Sequence, residues 1–129
     1  MRAADTNVVA RFLLGDDPAQ SARANAFFRR ENVWIALTVI LETEWVLRGV
    51  YKFKPQDVTA AFTGLAGMDN VSIENPSALA LALDLCGNGL DFADALHVAV
   101  ANHCDGFDTF DTALAKAAVS AGIDSVTLL

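Results

Sequence analysis

The chain has 129 residues, 53% of them hydrophobic and 19% charged, which is a globular composition and one domain's length. A core of this size needs no disulfide or structural metal. Cys86 and Cys104, without a CxxC spacing or a charged-then-apolar leader, therefore read as free thiols of a cytoplasmic protein, and no apolar run approaches the ~20 residues of a membrane span. The formal charge of −7, from 16 acidic and 9 basic residues, excludes a grip on phosphate backbone by net charge alone. Either the chain meets no nucleic acid or its acids gather around a cation that reverses the local sign.

In chain order, a short and poorly apolar strand at Ala3-Ala4 leads through Asp5-Thr6-Asn7 into a helix carrying Val8, Val9, Phe12 and Leu13. Pro18, after Asp16-Asp17, opens a second helix to about Arg30 with Ala22, Ala26 and Phe27 on its inner face. Val33-Trp34-Ile35 reads as a strand. Thr38 then serves as N-cap of a third helix whose buried side is Val39, Ile40, Trp45, Val46 and Leu47, ending between Gly49 and Lys54. Pro55 to Met68 is a helix, Val71 to Ile73 an edge strand, and Pro76 to Leu85 a helix stopped by Gly87-Asn88-Gly89. Asp91 caps an apolar helix through Ala101, Gly106 to Asp108 is strand-like, Ala113 to Ala121 is a helix, and Ser125 to Leu129 is a last strand. Short strands alternating with helices predict a single domain over 1–129, an α/β/α sandwich around a mainly parallel sheet.

In such sheets ligands collect at the carboxyl ends of the strands. Asp5 and Asp111 each follow a strand, Asp94 sits in the first turn of a helix, and Glu42 lies one turn into the third helix, so four carboxylates are expected to converge on one rim. Hard divalent cations such as Mg²⁺ want oxygen donors of this kind. Each acid also has a plainer reading. Asp5 could merely cap its helix, and Asp91 and Asp94 stand at N-cap and N3 spacing, where capping is favoured for Asp91 and a ligand role for Asp94. Glu42 and Glu44 could belong to a solvated face, and Asp108 and Asp111 could simply hold a turn around Thr109-Phe110. His97, three residues after Asp94, has no second His or thiolate at a zinc spacing. Neither a nucleophilic triad nor a phosphate loop is present. Arg11, Arg29, Arg30, Arg48, Lys52 and Lys54 are candidates for phosphate contacts, with ordinary surface charge as the first reading.

Taken together, order and spacing resemble the PIN-domain family, specifically the VapC-type toxins of bacterial and archaeal toxin–antitoxin pairs. Asp5-Thr6-Asn7-Val8-Val9 looks like the opening motif, in which the Asp binds metal and Thr and Asn buttress the site. Thr38 to Leu47 is similar to the second motif, with Glu42 as its acid; Asp91 to His97 resembles the third, with Asp94 as principal acid; Thr109-Phe110-Asp111 resembles the fourth, with Asp111 preferred to Asp108. The resemblance implies a Mg²⁺- or Mn²⁺-dependent ribonuclease with Asp5, Glu42, Asp94 and Asp111 at the metal, supported by Thr6, Asn7, Asp91 and Thr109. It also implies RNA as substrate, a homodimer, and an antitoxin whose tail covers the acidic pocket. Trp45, Val50, Tyr51, Phe53 and Phe62 could form an interface, with burial inside the monomer the simpler account.

Two other classes fit the length and acids. A receiver-like signalling domain needs an acidic pair after the first strand and a Lys near a late strand's end, whereas Asp5 has no adjacent acid and Lys116 is expected mid-helix. A catalytically silent PIN-like interaction module would normally lack one or more of the four acids, and all are present.

Overall fold

The computed structural model describes all residues 1–129, which form two compact units, Met1–Pro76 and Ser77–Leu129. In the first, strands β1 (Arg2–Ala3), β2 (Val33–Ile35) and β3 (Val71–Ile73) lie in the order β1-β2-β3. Both pairings are parallel, with Arg2 opposite Val33 and Val33 opposite Val71. A parallel strand pair requires a long crossover. Here the crossovers are helical: α1 (Thr6–Leu14) and α2 (Pro18–Arg30) join β1 to β2, and α3 (Leu37–Gly49) and α4 (Pro55–Ala66) join β2 to β3.

β1 has no buried side chain of its own. Backbone pairing holds it: the Arg2 N–H donates to the Asn32 carbonyl at 2.8 Å and the Ala4 N–H to that of Trp34 at 3.1 Å. β2 is the apolar centre, its Val33 and Ile35 fully buried on either side of a half-buried Trp34. Val9, Phe28, Ile40, Leu47 and Phe62 are among the other buried side chains, and Phe12 stacks on Phe28 with ring centroids 4.0 Å apart. Helix ends follow local chemistry. Pro18 fixes the first turn of α2 while the Asp17 carboxylate accepts from the Gln20 N–H, and Gly15 adopts φ +66°, a left-handed position that closes α1.

Several expectations about helix faces and ends need correction. α2 buries Ser21, Ala24 and Phe28, while Ala22 is exposed and Ala26 and Phe27 are only half-buried. α3 is capped at Ala36 and not at Thr38; the Leu37 N–H donates instead to the Glu74 carboxylate at 2.9 Å, so a side chain 37 positions away does the work of a local cap. Trp45 is 64% exposed, whereas Glu44 is 2% exposed and paired with Arg48 at 2.9 Å. The inner face of α3 is thus Ile40, Thr43, Glu44 and Leu47, and a half-exposed Arg48 satisfies the buried carboxylate. α4 stops at Ala66, two residues before the predicted end, because the Met68 N–H tightens onto the Leu65 carbonyl at 3.2 Å as the chain turns into β3.

The second unit contains α5 (Pro76–Gly87), α6 (Phe92–Val100), β4 (Phe107–Thr109), α7 (Thr112–Ser120) and β5 (Val126–Leu128). β4 and β5 pair in parallel with Phe107 opposite Val126. α5 runs two residues beyond its predicted end, its final turn tied by the Asn88 side-chain amide donating to the Asp84 carbonyl at 2.9 Å. Leu79, Ala82, Leu96, Ala99, Leu114 and Ala118 are buried. All strand pairings are parallel and helices intervene between strands, so the class is the predicted mixed α/β one with short strands. No helix is long and apolar enough to cross a membrane.

Candidate active-site carboxylates

Asp5 ends β1 and occupies the N-cap of α1, yet its side chain makes no cap hydrogen bond. The backbone alone begins the helix, through the Val8 and Val9 N–H groups on the Asp5 carbonyl at 3.0 and 3.1 Å. An Asp at an N-cap normally accepts from the second or third helical N–H, and a carboxylate that does not is left available for other donors or for a cation. The next residue, Thr6, is 8% exposed and donates its hydroxyl proton to Glu42 Oε1 at 2.7 Å. That bond joins the first turn of α1 to α3 and restricts an otherwise exposed, flexible Glu. Glu74, by holding the start of α3, positions the helix that carries Glu42. Nothing local in the sequence signals this role. Asn7 is exposed and faces a cleft described below.

The second unit arranges its acids differently. Asp91 caps α6, its Oδ2 accepting from the Ala93 N–H at 3.1 Å. Asp94 follows one turn later and is half-buried. Its carboxyl is held above the ordinary aspartate range, chiefly by burial and then by the negative charges of Asp91 and Asp111, with His97 pulling weakly the other way. Asp111 caps α7 with one oxygen, Oδ1, which accepts from the Ala113 and Leu114 N–H groups at 2.9 and 3.1 Å. Thr109 Oγ1 accepts from the Asp111 N–H at 2.9 Å and fixes the turn that aims this acid. Asp108 is an exposed strand residue and is not among the charges that shift Asp94.

Neither unit by itself gathers three His, Cys, Asp or Glu side chains into a ready-made ion-binding group. The donors are nevertheless of the hard-oxygen type that Mg²⁺ and Mn²⁺ take, and the two negative neighbours that disfavour ionised Asp94 would be offset by a cation. Cys86 and Cys104 form no disulfide.

The PIN domain matches residues 3–120, so the chain belongs to the PIN-domain family. That match runs through both compact units and includes Asp5, Glu42, Asp94 and Asp111. No curated protein and no solved structure matches the chain. PIN domains are generally nucleases that bind divalent metal ions and act on RNA or DNA.

Proposed function

We propose that this chain is a Mg²⁺- or Mn²⁺-dependent endoribonuclease that hydrolyses RNA phosphodiester bonds, with Asp5, Glu42, Asp94 and Asp111 serving the metal. The observation that carries the reading is the Asp5–Thr6–Glu42 arrangement. At a position where capping is the ordinary use of an Asp, this carboxylate is uncommitted, and the neighbouring Thr is used to hold a Glu from another helix. When bound, a divalent ion lowers the pKa of a water and offsets charge developing on the scissile phosphate. Thr6 keeps Glu42 in one rotamer. Thr109 and the α7 N–H groups hold Asp111 through its backbone N–H and Oδ1, and its second oxygen, Oδ2, takes no part in the cap. Asp91 supports Asp94 by starting the helix on which it stands and by adding negative charge beside it.

The reading extends to the toxin of a VapBC-type module in the cytoplasm, acting as a homodimer and held silent by an antitoxin. Trp45 and Val50, 64% and 59% exposed near the end of α3, are apolar surface suited to such contacts. Phe62 is fully buried and drops out of that set.

The decisive experiment is cleavage of total cellular RNA by the purified chain with Mg²⁺, Mn²⁺ or chelator, beside Asp94→Asn. Metal-dependent fragments that vanish in the variant support the reading. Intact RNA under every condition, with metal binding still measurable by calorimetry, overturns it in favour of a silent interaction module.

A further inference from the structure

A cleft of about 440 Å³ opens in the first unit where β1, α1 and α2 meet, and its walls include Arg2, Asn7, Arg11, Arg23 and Phe27. Three of the chain's nine basic residues are therefore in one recess of a protein with net charge −7, and no acid lines it. The three differ in freedom. Arg11 is fixed: its Nε donates to Gln20 Oε1 at 2.7 Å and its guanidinium pairs with Asp16 at 3.2 Å, while Asp16 also accepts from the Tyr51 hydroxyl. Arg2 and Arg23 are exposed and form no ion pair. Phe27, one turn after Arg23 on α2, is half-buried and braced edge-on by Phe28 with centroids 5.6 Å apart. The arginines and the ring belong to one concave surface, whose wall also includes Ala3 and Asn7 from either side of Asp5 in the chain but not Asp5 itself.

We propose that this cleft is a subsite for single-stranded RNA, in which Arg2 and Arg23 hold phosphates of the strand and Phe27 supports a base. The inference rests on the nuclease reading above and adds to it where the strand lies. Guanidinium groups match phosphate oxygens in charge and geometry, and an aromatic face accepts any base, so the combination suits an unpaired strand and not a rigid duplex. Fixed Arg11 would stiffen the wall and lend a partly offset charge, leaving the two unpaired arginines as the principal contacts. Such a cationic recess also resolves the charge problem posed by the composition: the chain repels RNA over most of its surface and attracts it along one track.

The test is fluorescence anisotropy of a short labelled single-stranded RNA in chelator, where no cleavage occurs, comparing the native chain with Arg2→Ala/Arg23→Ala and Arg2→Lys/Arg23→Lys. Both sites are exposed, so folding is not at stake. The alanine pair is expected to weaken binding about tenfold at low salt and to lower the salt slope by about 1.4, with the lysine pair recovering much of both. Unchanged affinity and slope in the alanine pair would overturn the subsite, as would a glutamate-rich peptide that binds through the same arginines more tightly than RNA, which would make the cleft a protein-docking site. Cleavage assays separate this from the nuclease reading. RNA bound through Arg2 and Arg23 by a chain that cuts nothing keeps the subsite and removes the nuclease; cutting with affinity unaltered in the alanine pair does the reverse.

Discussion

The two compact units each carry two of the four acids proposed above as metal ligands, and they prepare them by opposite means. In Met1–Pro76, Asp5 is left out of its helix cap and Glu42 is held by a neutral hydroxyl, so positioning comes from a hydrogen bond between helices. In Ser77–Leu129, Asp91 and Asp111 both cap helices, and Asp94 stands half-buried between their charges. The first arrangement makes a carboxylate available without straining it. The second builds an unfavourable concentration of charge that a bound cation relieves. Stability and activity should therefore respond differently to substitutions in the two units.

The largest effect is expected for Asp94→Asn and Asp5→Asn, each of which removes a charge with little change in volume and should abolish RNA cleavage while circular dichroism shows an intact fold. Metal-free melting then sharpens the contrast: Asp94→Asn, which relieves crowding, should raise the midpoint by about 1–3 °C, whereas Asp5→Asn leaves it unchanged. A fall in the midpoint of Asp94→Asn would show that its charge is locally stabilising.

Capping gives the next test. Asp111→Ala removes the acceptor for two α7 N–H groups and should cost about 1 kcal/mol in denaturant unfolding, whereas Asp111→Asn keeps an acceptor oxygen and loses only the charge. Asp5→Ala, at a cap without a side-chain bond, should cost little. Equal destabilisation by Asp5→Ala and Asp111→Ala would erase the distinction between the units.

A smaller effect is expected from Thr6→Val, which removes the bond to Glu42: roughly 1 kcal/mol of stability and about a tenfold drop in cleavage rate, with Thr6→Ser recovering most of both. Full activity in the valine variant would mean that Glu42 needs no holding. The smallest is an acid-side effect far from the site. The Tyr51 hydroxyl bond, aided by the charge of Arg11, holds the Asp16 carboxyl below the ordinary aspartate range. A lowered folded-state pKa stabilises above the unfolded value and is lost as pH falls through the folded one, so Tyr51→Phe should lower the melting point slightly at neutral pH and not at all below the aspartate range.

Much of the local structure could be read from the chain order. Asp17 and Pro18 open α2, Asp91 caps α6, and β2 is apolar enough to be recognised as a buried strand, because caps and strand patterns depend on neighbours within a few residues. One error falls where a distant partner decides, and another where a neighbour on the same helix does. Thr38 has the right chemistry for a cap, but Glu74 captures the Leu37 N–H and starts α3 at Leu37. Trp45 has the hydropathy of a core residue, but Arg48 satisfies Glu44 and lets that acid occupy the inner face instead. Arg2 and Arg23 drew no notice as phosphate contacts because 21 positions separate them, although Asn7 with Arg11 and Arg23 with Phe27 were visible at i, i+4 spacing.

The sequence by itself determined the α/β class and the order of the elements, since periodicity and turn chemistry are short-range properties of the chain. Tertiary structure alone decided that Asp5 leaves its cap unmade while Asp111 fills its own, that Thr6 reaches Glu42 across 36 positions, and that three arginines share one cleft. The physical reason is common to all three: a hydrogen bond or a charge contact depends on distance in space, and residues far apart in the chain acquire that distance only when helices pack.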